Sequence, residues 1–320
     1  MSRSTRNTAI LAKVETVIGT DAVPTGAADA VLVSDFSCTP LDAKNIDRAL
    51  LRTFFGGSPQ LVGPASVKLS FSVELAGSGT AATAPQWGDL MIACAMAEAS
   101  LTTPNRVEYT PISTALKTLT IYYYDDGALH KLLGAVGNVK LSAKVGDRPL
   151  LKFDFVGLDG GIVAQANPST TLTAWQAPVA ITKANVTDIT LGCTYATGAL
   201  TGGTLYNSTG LELDWGNKVS FTPMLSSESV DLTDRDMQGS TELDLTAAQE
   251  VTFMGNVKAN TLQGLGFVIG TTTGNKIIVH TPNAQLLNPK KSELNGKRVI
   301  GYDLRLPAIT GNDEIRLACV

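Results

Sequence analysis

Nucleophilic catalysis needs a base, and the chain offers two histidines, His130 and His280. A Ser-His-Asp arrangement also needs a carboxylate to hold the imidazole. Asp125 or Asp126, just upstream in "DDGALH", could take that part. No G-x-S-x-G elbow accompanies them, so a histidine at a hairpin edge is expected. A metal needs clustered ligands at defined spacing. Asp231, Asp234 and Asp236 lie close together in "DLTDRDMQGS", but without the order and closing Glu of a calcium loop. A polar loop is expected there. "GSG" at 77–79 is not a dinucleotide fingerprint, and no phosphate-loop lysine follows any glycine run. "GLGF" at 264–267 only echoes a carboxylate-binding loop. Paired carboxylates for glycoside cleavage stay open, although aromatic residues are only 6% of the chain, few for a sugar groove. The expectation is a chain that is not an enzyme, with no catalytic residue, metal or cofactor.

Composition narrows the partners. The 320 residues suit two domains of about 150 residues or one large β fold. Charged residues are 17%, below the usual ~25%, which fits either a surface covered by partners or a Ser- and Thr-rich β surface. The net charge is -4 and no basic run occurs, against a stable nucleic-acid binder. No stretch reaches the ~18 apolar residues of a membrane helix, and no apolar segment follows the N-terminal arginines. Cys38, Cys94, Cys193 and Cys319 are scattered, so buried free thiols in a cytoplasm are expected, although two disulfides are possible.

The elements that would position any site read mostly as strands. Residues 30–37, 66–75, 116–125 and 150–158 are rich in β-branched and aromatic types. In 67–75 the alternation is strict: Val67, Leu69, Phe71, Val73 and Leu75 share one face. The second half repeats the pattern in "TGLELDWG", "NKVSFTP", "STELDLT", "NKIIVH" and "GYDLRLPA". One helix is predicted over 84–100, where Trp87, Leu90, Met91 and Cys94 form an apolar stripe, and a weaker one over 260–270.

The halves also repeat each other. "SAKVGDRPLLKFD" (142–154) and "SELNGKRVIGYD" (292–303) keep Ser, Gly, Arg, an aromatic and Asp in order. Residues 37–57 align with 220–240, "SVKLSFSVELAG" with "EVTFMGNVKAN", the first helix with the second, and 105–111 with 275–282. Two tandem β-sandwich or barrel domains are expected, 1–165 and 166–320, each with a flanking helix, joined through 160–179.

Residues 15–63 ("ETVIGTDAVPTGAADAVLVSDFSCTPLDAKNIDRALLRTFFGGSPQLVG") and 76–99 ("AGSGTAATAPQWGDLMIACAMAEA") resemble the major tail tube proteins of long-tailed bacteriophages and prophages. The resemblance is close over the first third of the chain and less distinctive beyond. It implies a mainly β fold with little helix, and sheets joined side by side into an inner barrel. It implies rings stacked into a tube through which DNA leaves the virion. Family rings usually hold six single-domain subunits; a duplicated chain could close with three, giving pseudo-sixfold trimers, with hexamers the alternative. The implied partners are other copies of the chain, the tape-measure protein and tail-end proteins. DNA would be transient cargo, and no membrane is involved. The implied location is the virion tail, after synthesis in the host cytoplasm.

The resemblance also implies that an N-terminal segment, Ser2 to Pro24, and a long loop, Asp42 to Ala65, reach the neighbouring ring. Arg48, Arg52, Phe54 and Phe55 would be the stacking contacts. The competing expectation is a short amphipathic helix of Leu50, Leu51, Phe54 and Phe55 packed on its own domain. The second half has "SESVDLTDRDMQGS" instead, without an aromatic. Two other classes remain: a secretion-system tube relative, and a β-sandwich receptor- or glycan-binding tail component.

Overall fold

The computed structural model describes residues 3–320. The first half runs β1 (Thr8–Val14), β2 (Ala30–Val31), β3 (Ser34–Ile46), β4 (Leu61–Glu74), α1 (Gly88–Ile92), β5 (Met96–Thr102), β6 (Asn105–Pro111), β7 (Leu119–Asp125), β8 (Ala128–Lys144) and β9 (Leu150–Ala164). The second runs β10 (Ile189–Ala196), β11 (Ala199–Tyr206), β12 (Ser208–Asp214), β13 (Asn217–Pro223), β14 (Glu228–Arg235), β15 (Gln238–Leu243), α2 (Ala247–Lys258), β16 (Leu262–Ile269), β17 (Ile277–Leu294), β18 (Lys297–Arg305) and β19 (Arg316–Cys319).

The alternating segment 67–75 falls mostly in β4, and all five of its apolar residues are buried. Seven antiparallel pairings join eight strands in the order β3-β4-β9-β8-β12-β15-β18-β17. The first four belong to the first half and the last four to the second, so β8–β12 is a seam within the chain. One face of this run carries Phe71, Phe153, Phe155, Leu141, Leu213, Tyr302 and Leu304 into the core. The long strands β8 and β17 then turn out of it. The start of β8 pairs with β7, which continues to β1 and β2. The start of β17 pairs with β16 and with β19; β16 leads to β10 and β11, and β19 to β6 and β5. These strands and the helices cover the apolar face. One apolar cluster spans both halves, and Trp215 points its indole N–H at Met96 Sδ, 3.3 Å away.

Several expectations are corrected. The predicted helix over 84–100 is only α1, and 96–102 is strand. Trp87, Leu90, Met91 and Cys94 are buried as the stripe requires, but Ala95 takes a positive φ of 60° and turns the chain into β5. The candidate helix over 260–270 is strand β16. The second helix lies earlier, at α2, where Thr246 and Gln249 form a capping box. "SVKLSFSVELAG" is largely strand and "EVTFMGNVKAN" largely helix, so that alignment joins unlike elements. Residues 105–111 form β6 and 275–282 the start of β17, two strands on either side of β19 rather than counterparts. The 142–154 and 292–303 segments are both strand–turn–strand, in β8–β9 and β17–β18.

Part of the N-terminal segment is built into the fold. Residues 8–14 are β1, locked between β2 and β7. The next residue, Glu15, is buried and accepts hydrogen bonds from Thr118, Thr120, Gly19 and Gly134. Ser2 lies outside the described residues.

Candidate assembly surfaces

Residues alternate across a strand, so every apolar position facing the core leaves a neighbour on the other side. On the eight-strand run that second side is polar. Two recesses open on it, of about 900 and about 310 Å³. Lys144, Glu212, Ser240, Glu242, Asp303, Lys290 and Ser292 line the larger, and Lys140, Lys152 and Asp214 help line the smaller. Most cations on this side sit beside acids, Lys152 and Lys290 being unpaired among the described residues. Lys140 lies 3.0 Å from Asp214 and Lys144 2.8 Å from Glu212, both across the internal seam. Lys68–Asp42, Arg148–Glu74 and Arg305–Asp236 continue the pattern. Such exposed pairs add little stability, but they leave the face close to neutral. Asp214 stays below the ordinary carboxylate range: burial opposes this, and hydrogen bonds from Asn138, the Gly216 amide and Lys140 overcome it.

The run has two open ends. β3 pairs only with β4, and the 286–294 stretch of β17 only with β18. Unpaired strand edges are templates for another chain.

The third surface is at the hairpin tips. β3 and β4 converge on the loop 47–60. It holds no helix, and Leu51 and Phe55 are fully exposed, so the amphipathic-helix expectation is corrected: short of a partner these side chains have nothing to pack on. Arg52 stacks its guanidinium 5.6 Å from the centre of the Phe54 ring and reaches the Gly57 carbonyl. Arg48 is exposed on the same loop, and Phe54 is two-thirds exposed. The second-half tip between β13 and β14 presents Met224 and Leu225, the latter fully exposed. Sequence reasoning sought an aromatic there and missed this apolar pair, although "PMLSSE" places it directly before a polar turn.

The residues singled out for chemistry do not converge. Asp126 accepts hydrogen bonds from the Ser4 amide and Asn7 rather than holding His130, and Arg3 lies 3.5 Å from Asp125. His130 packs beside Tyr123, 5.5 Å between ring centres, and burial holds its pKa below the ordinary value. His280 is buried on β17, beside Tyr195. Asp231 accepts from Ser229, Asp234 pairs with Lys218 and Asp236 with Arg305. No group of three metal-ligating side chains exists among the described residues. "GSG" is a contact between the halves: the Gly77 amide donates to Asn275 Oδ1 and the Gly79 amide to the Gly274 carbonyl. "GLGF" is part of β16, where a Cβ on Gly264 would lie 1.8 Å from the Cys193 carbonyl. All four cysteines are free; Cys38 is half-buried and the others buried.

Sequence also gave no sign of a buried ionic cluster near the end of the chain. Glu108 accepts from Arg106 and Tyr195 and faces Arg316 at 3.4 Å, while Arg316 stacks on Tyr195. Burial raises the Glu108 pKa, and the Arg106 and Tyr195 hydrogen bonds more than reverse that. The cluster ties β6, β10 and β19 together, so its role is structural.

The described features are an open-edged antiparallel run, a polar face carrying paired charges, and apolar hairpin tips: a mainly β protein with several surfaces free for contact. The sequence profile of the phage tail tube protein family matches residues 5–316, and the chain belongs to that family. It is a structural component of the virion tail and associates with itself to build a tube. A comparison with curated proteins finds no match. No helix among the described residues is long and apolar enough to cross a membrane.

Proposed function

We propose that three copies of this chain close edge to edge into a ring, that rings stack into the tail tube, and that DNA passes along the polar face. One observation carries the reading. The chain already contains one edge-to-edge join, β8–β12, between two four-strand runs of the same order, and leaves one further edge open at each end. The same join made between chains closes the ring. Residues 1–165 and 166–320 are then tandem copies of one tube domain.

Geometry favours three. Strands ~4.8 Å apart, tilted by ~40°, give a three-chain barrel roughly 50 Å across between backbones and a six-chain barrel roughly twice that. The smaller lumen suits a single duplex. The near-neutral lining offers phosphates few unpaired cations, so DNA displaces few counterions and is not gripped. The tape-measure protein would occupy the same lumen before ejection, and tail-end proteins would cap the stack. The loop with Arg48, Arg52, Phe54 and Phe55, and the Met224–Leu225 tip, would contact the next ring. A glycan-binding reading is disfavoured by the larger recess, whose lining includes one aromatic residue, Tyr302, nearly fully buried in the core.

Negative-stain electron microscopy with native mass measurement tests this. Six-lobed rings or hollow tubes with three chains per ring are expected. Six chains per ring would refute the trimer, and discrete monomers at high concentration in the presence of tail-end proteins would refute the ring.

A further inference from the structure

The two four-strand runs can be put in register through their own pairings. Asp154 of β9 lies opposite Ser70, and Ser70 opposite Ser37. Asp303 of β18 lies opposite Ser240, and Ser240 opposite Glu212. Asp154 and Asp303 close the repeated sequence segments, so Ser37 takes the place of Glu212, Cys38 that of Leu213 and Thr39 that of Asp214. On the far side, Lys152 pairs Lys140 and Leu150 pairs Ser142, as Gly301 pairs Lys290 and Val299 pairs Ser292. Lys290 therefore takes the place of Lys140, Lys291 that of Leu141 and Ser292 that of Ser142. The internal seam pairs Glu212 with Ser142, Leu213 with Leu141 and Asp214 with Lys140.

We infer that the seam between neighbouring copies repeats this register: Cys38 of β3 lies opposite Lys291 of the next copy's β17, Ser37 opposite Ser292, and Thr39 opposite Lys290. The inference rests on the ring reading above.

A second feature points to the same register. The next step along the ladder sets Pro40 opposite Pro289. Neither has an N–H, so proline on a strand normally marks an edge or the end of pairing. In this register both prolines fall at one step, just past the position where the internal ladder ends at Asp214 and Lys140. A slip of two residues would set each proline against a non-proline residue, whose carbonyl would face no N–H donor wherever the proline nitrogen points across the seam.

The register is repeated but the chemistry is not. Lys140–Asp214 and Lys144–Glu212 cross the internal seam. Between copies Thr39 and Ser37 replace both acids and Leu294 replaces Lys144, so no ion pair crosses. The join inside the chain is charge-clasped, and the join between chains depends on backbone hydrogen bonds and on Cys38 being covered.

The native thiol of Cys38 makes the test direct. Lys291→Cys in the full-length chain, assembled and treated with copper phenanthroline, is expected to give disulfide-linked dimers and trimers on non-reducing gels, lost when Cys38→Ser is added. Pro289→Cys and Glu293→Cys, one register step to either side, should cross-link at least tenfold less. The pair Ser37→Cys/Ser292→Cys in a Cys38→Ser background repeats the test on the polar face, in case Lys291→Cys does not fold. Preferential linkage through position 289 or 293 would overturn the register and leave the ring intact. Rings by microscopy with no linkage at any position would place the seam on other edges. Absence of both rings and linkage would refute the ring reading itself. Independently, Thr39→Asp restores an acid opposite Lys290 and should tighten ring association about two- to five-fold at low salt, vanishing at high salt. Weakened or salt-independent association would overturn the assignment.

Discussion

Replacing Phe54 and Phe55 together by Ala separates assembly from folding. Phe55 is fully exposed in the single chain and Phe54 two-thirds exposed, so the fold loses almost no packing. Substitutions of this kind usually change stability by less than ~0.5 kcal/mol, and the melting temperature should move by no more than about 2 °C. Stacked rings would bury these rings instead. Burying a Phe is worth roughly 2 kcal/mol, so two contribute about 4 kcal/mol per chain and three chains about 12 kcal/mol per ring contact. Even at half that value, the ring-on-ring association constant falls by roughly four orders of magnitude. Sedimentation and electron microscopy at matched concentration should show intact rings that fail to elongate. Tubes of normal length from the double variant would refute the stacking role. A melting temperature lowered by several degrees would show that the two rings pack within their own chain.

Asn217 is buried and its side-chain amide donates to the Cys94 and Gly137 carbonyls, 2.9 and 3.0 Å away. Asn217→Ala should cost about 2 kcal/mol by urea unfolding, whereas neighbouring Lys218→Ala, which loses only an exposed pair with Asp234, should cost almost nothing. Burial holds the His280 pKa below its ordinary value of 6.5, so the folded chain keeps it neutral and the unfolded chain takes up the proton. Its contribution is complete above the ordinary pKa and declines as pH falls below it. His280→Phe should therefore show a smaller fall in urea midpoint than the parent between about pH 7.5 and 5.5. Asp214→Asn with Glu212→Gln frees Lys140 and Lys144 on the polar face. Assembled tubes of that variant should retain DNA at low salt, with a salt slope rising by about 0.9 per added phosphate contact, measured by filter binding.

Much of this was legible in the sequence where one period governs a segment. The alternation in 67–75 gives the buried face of β4 because a strand half in contact with a core has no other pattern. The repeat at 142–154 and 292–303 is legible because both segments are a strand, a tight turn and a strand with an Asp on the polar face. The alignment of "SCTP" (37–40) with "SFTP" (220–223) is different: in the register inferred above, Ser37 would take the place of Glu212, not of Ser220. The cause is local. The second-half counterpart of β3 breaks at Gly216, whose φ is 63° and where a Cβ would lie 2.0 Å from the Asp236 carbonyl. β12 and β13 thus become separate strands, and the Thr-Pro pair of β13 lies farther up the hairpin. Ser, Thr, Pro and Gly, the residues that carry that match (Ser37, Thr39, Pro40 and Gly56 with Ser220, Thr222, Pro223 and Gly239), are all common turn chemistry. The helix over 84–100 is overextended because the burial of Trp87, Leu90, Met91 and Cys94 continues without a break through Ala95 and Met96, where the chain is no longer helical, so the apolar stripe carries no mark of the helix end. The stacking loop was legible as an anomaly, two adjacent Phe in a turn, but nothing in a linear pattern says that no other part of the chain covers them.

Open strand edges invite pairing with any edge they meet, and the two edges here carry features that limit it. β3 departs from regular pairing between Ser34 and Ser37, again between Thr39 and Asp42, and again between Ala43 and Asn45. β17 departs between Leu287 and Lys290. Bulges twist an edge away from regular pairing. Along β3 this leaves Ser37 to Thr39 as the straight stretch before Pro40, and along β17 it leaves the residues from Lys290 onward, beyond Pro289. Each edge thus offers a short regular segment bounded by a proline and a bulge, too little to hold two chains together by a single contact. In the proposed ring of three, the last contact would form within one assembly rather than between free molecules. The same shortness that makes one pairing weak would then make closure cooperative, and would restrict each edge to the partner that completes the circle.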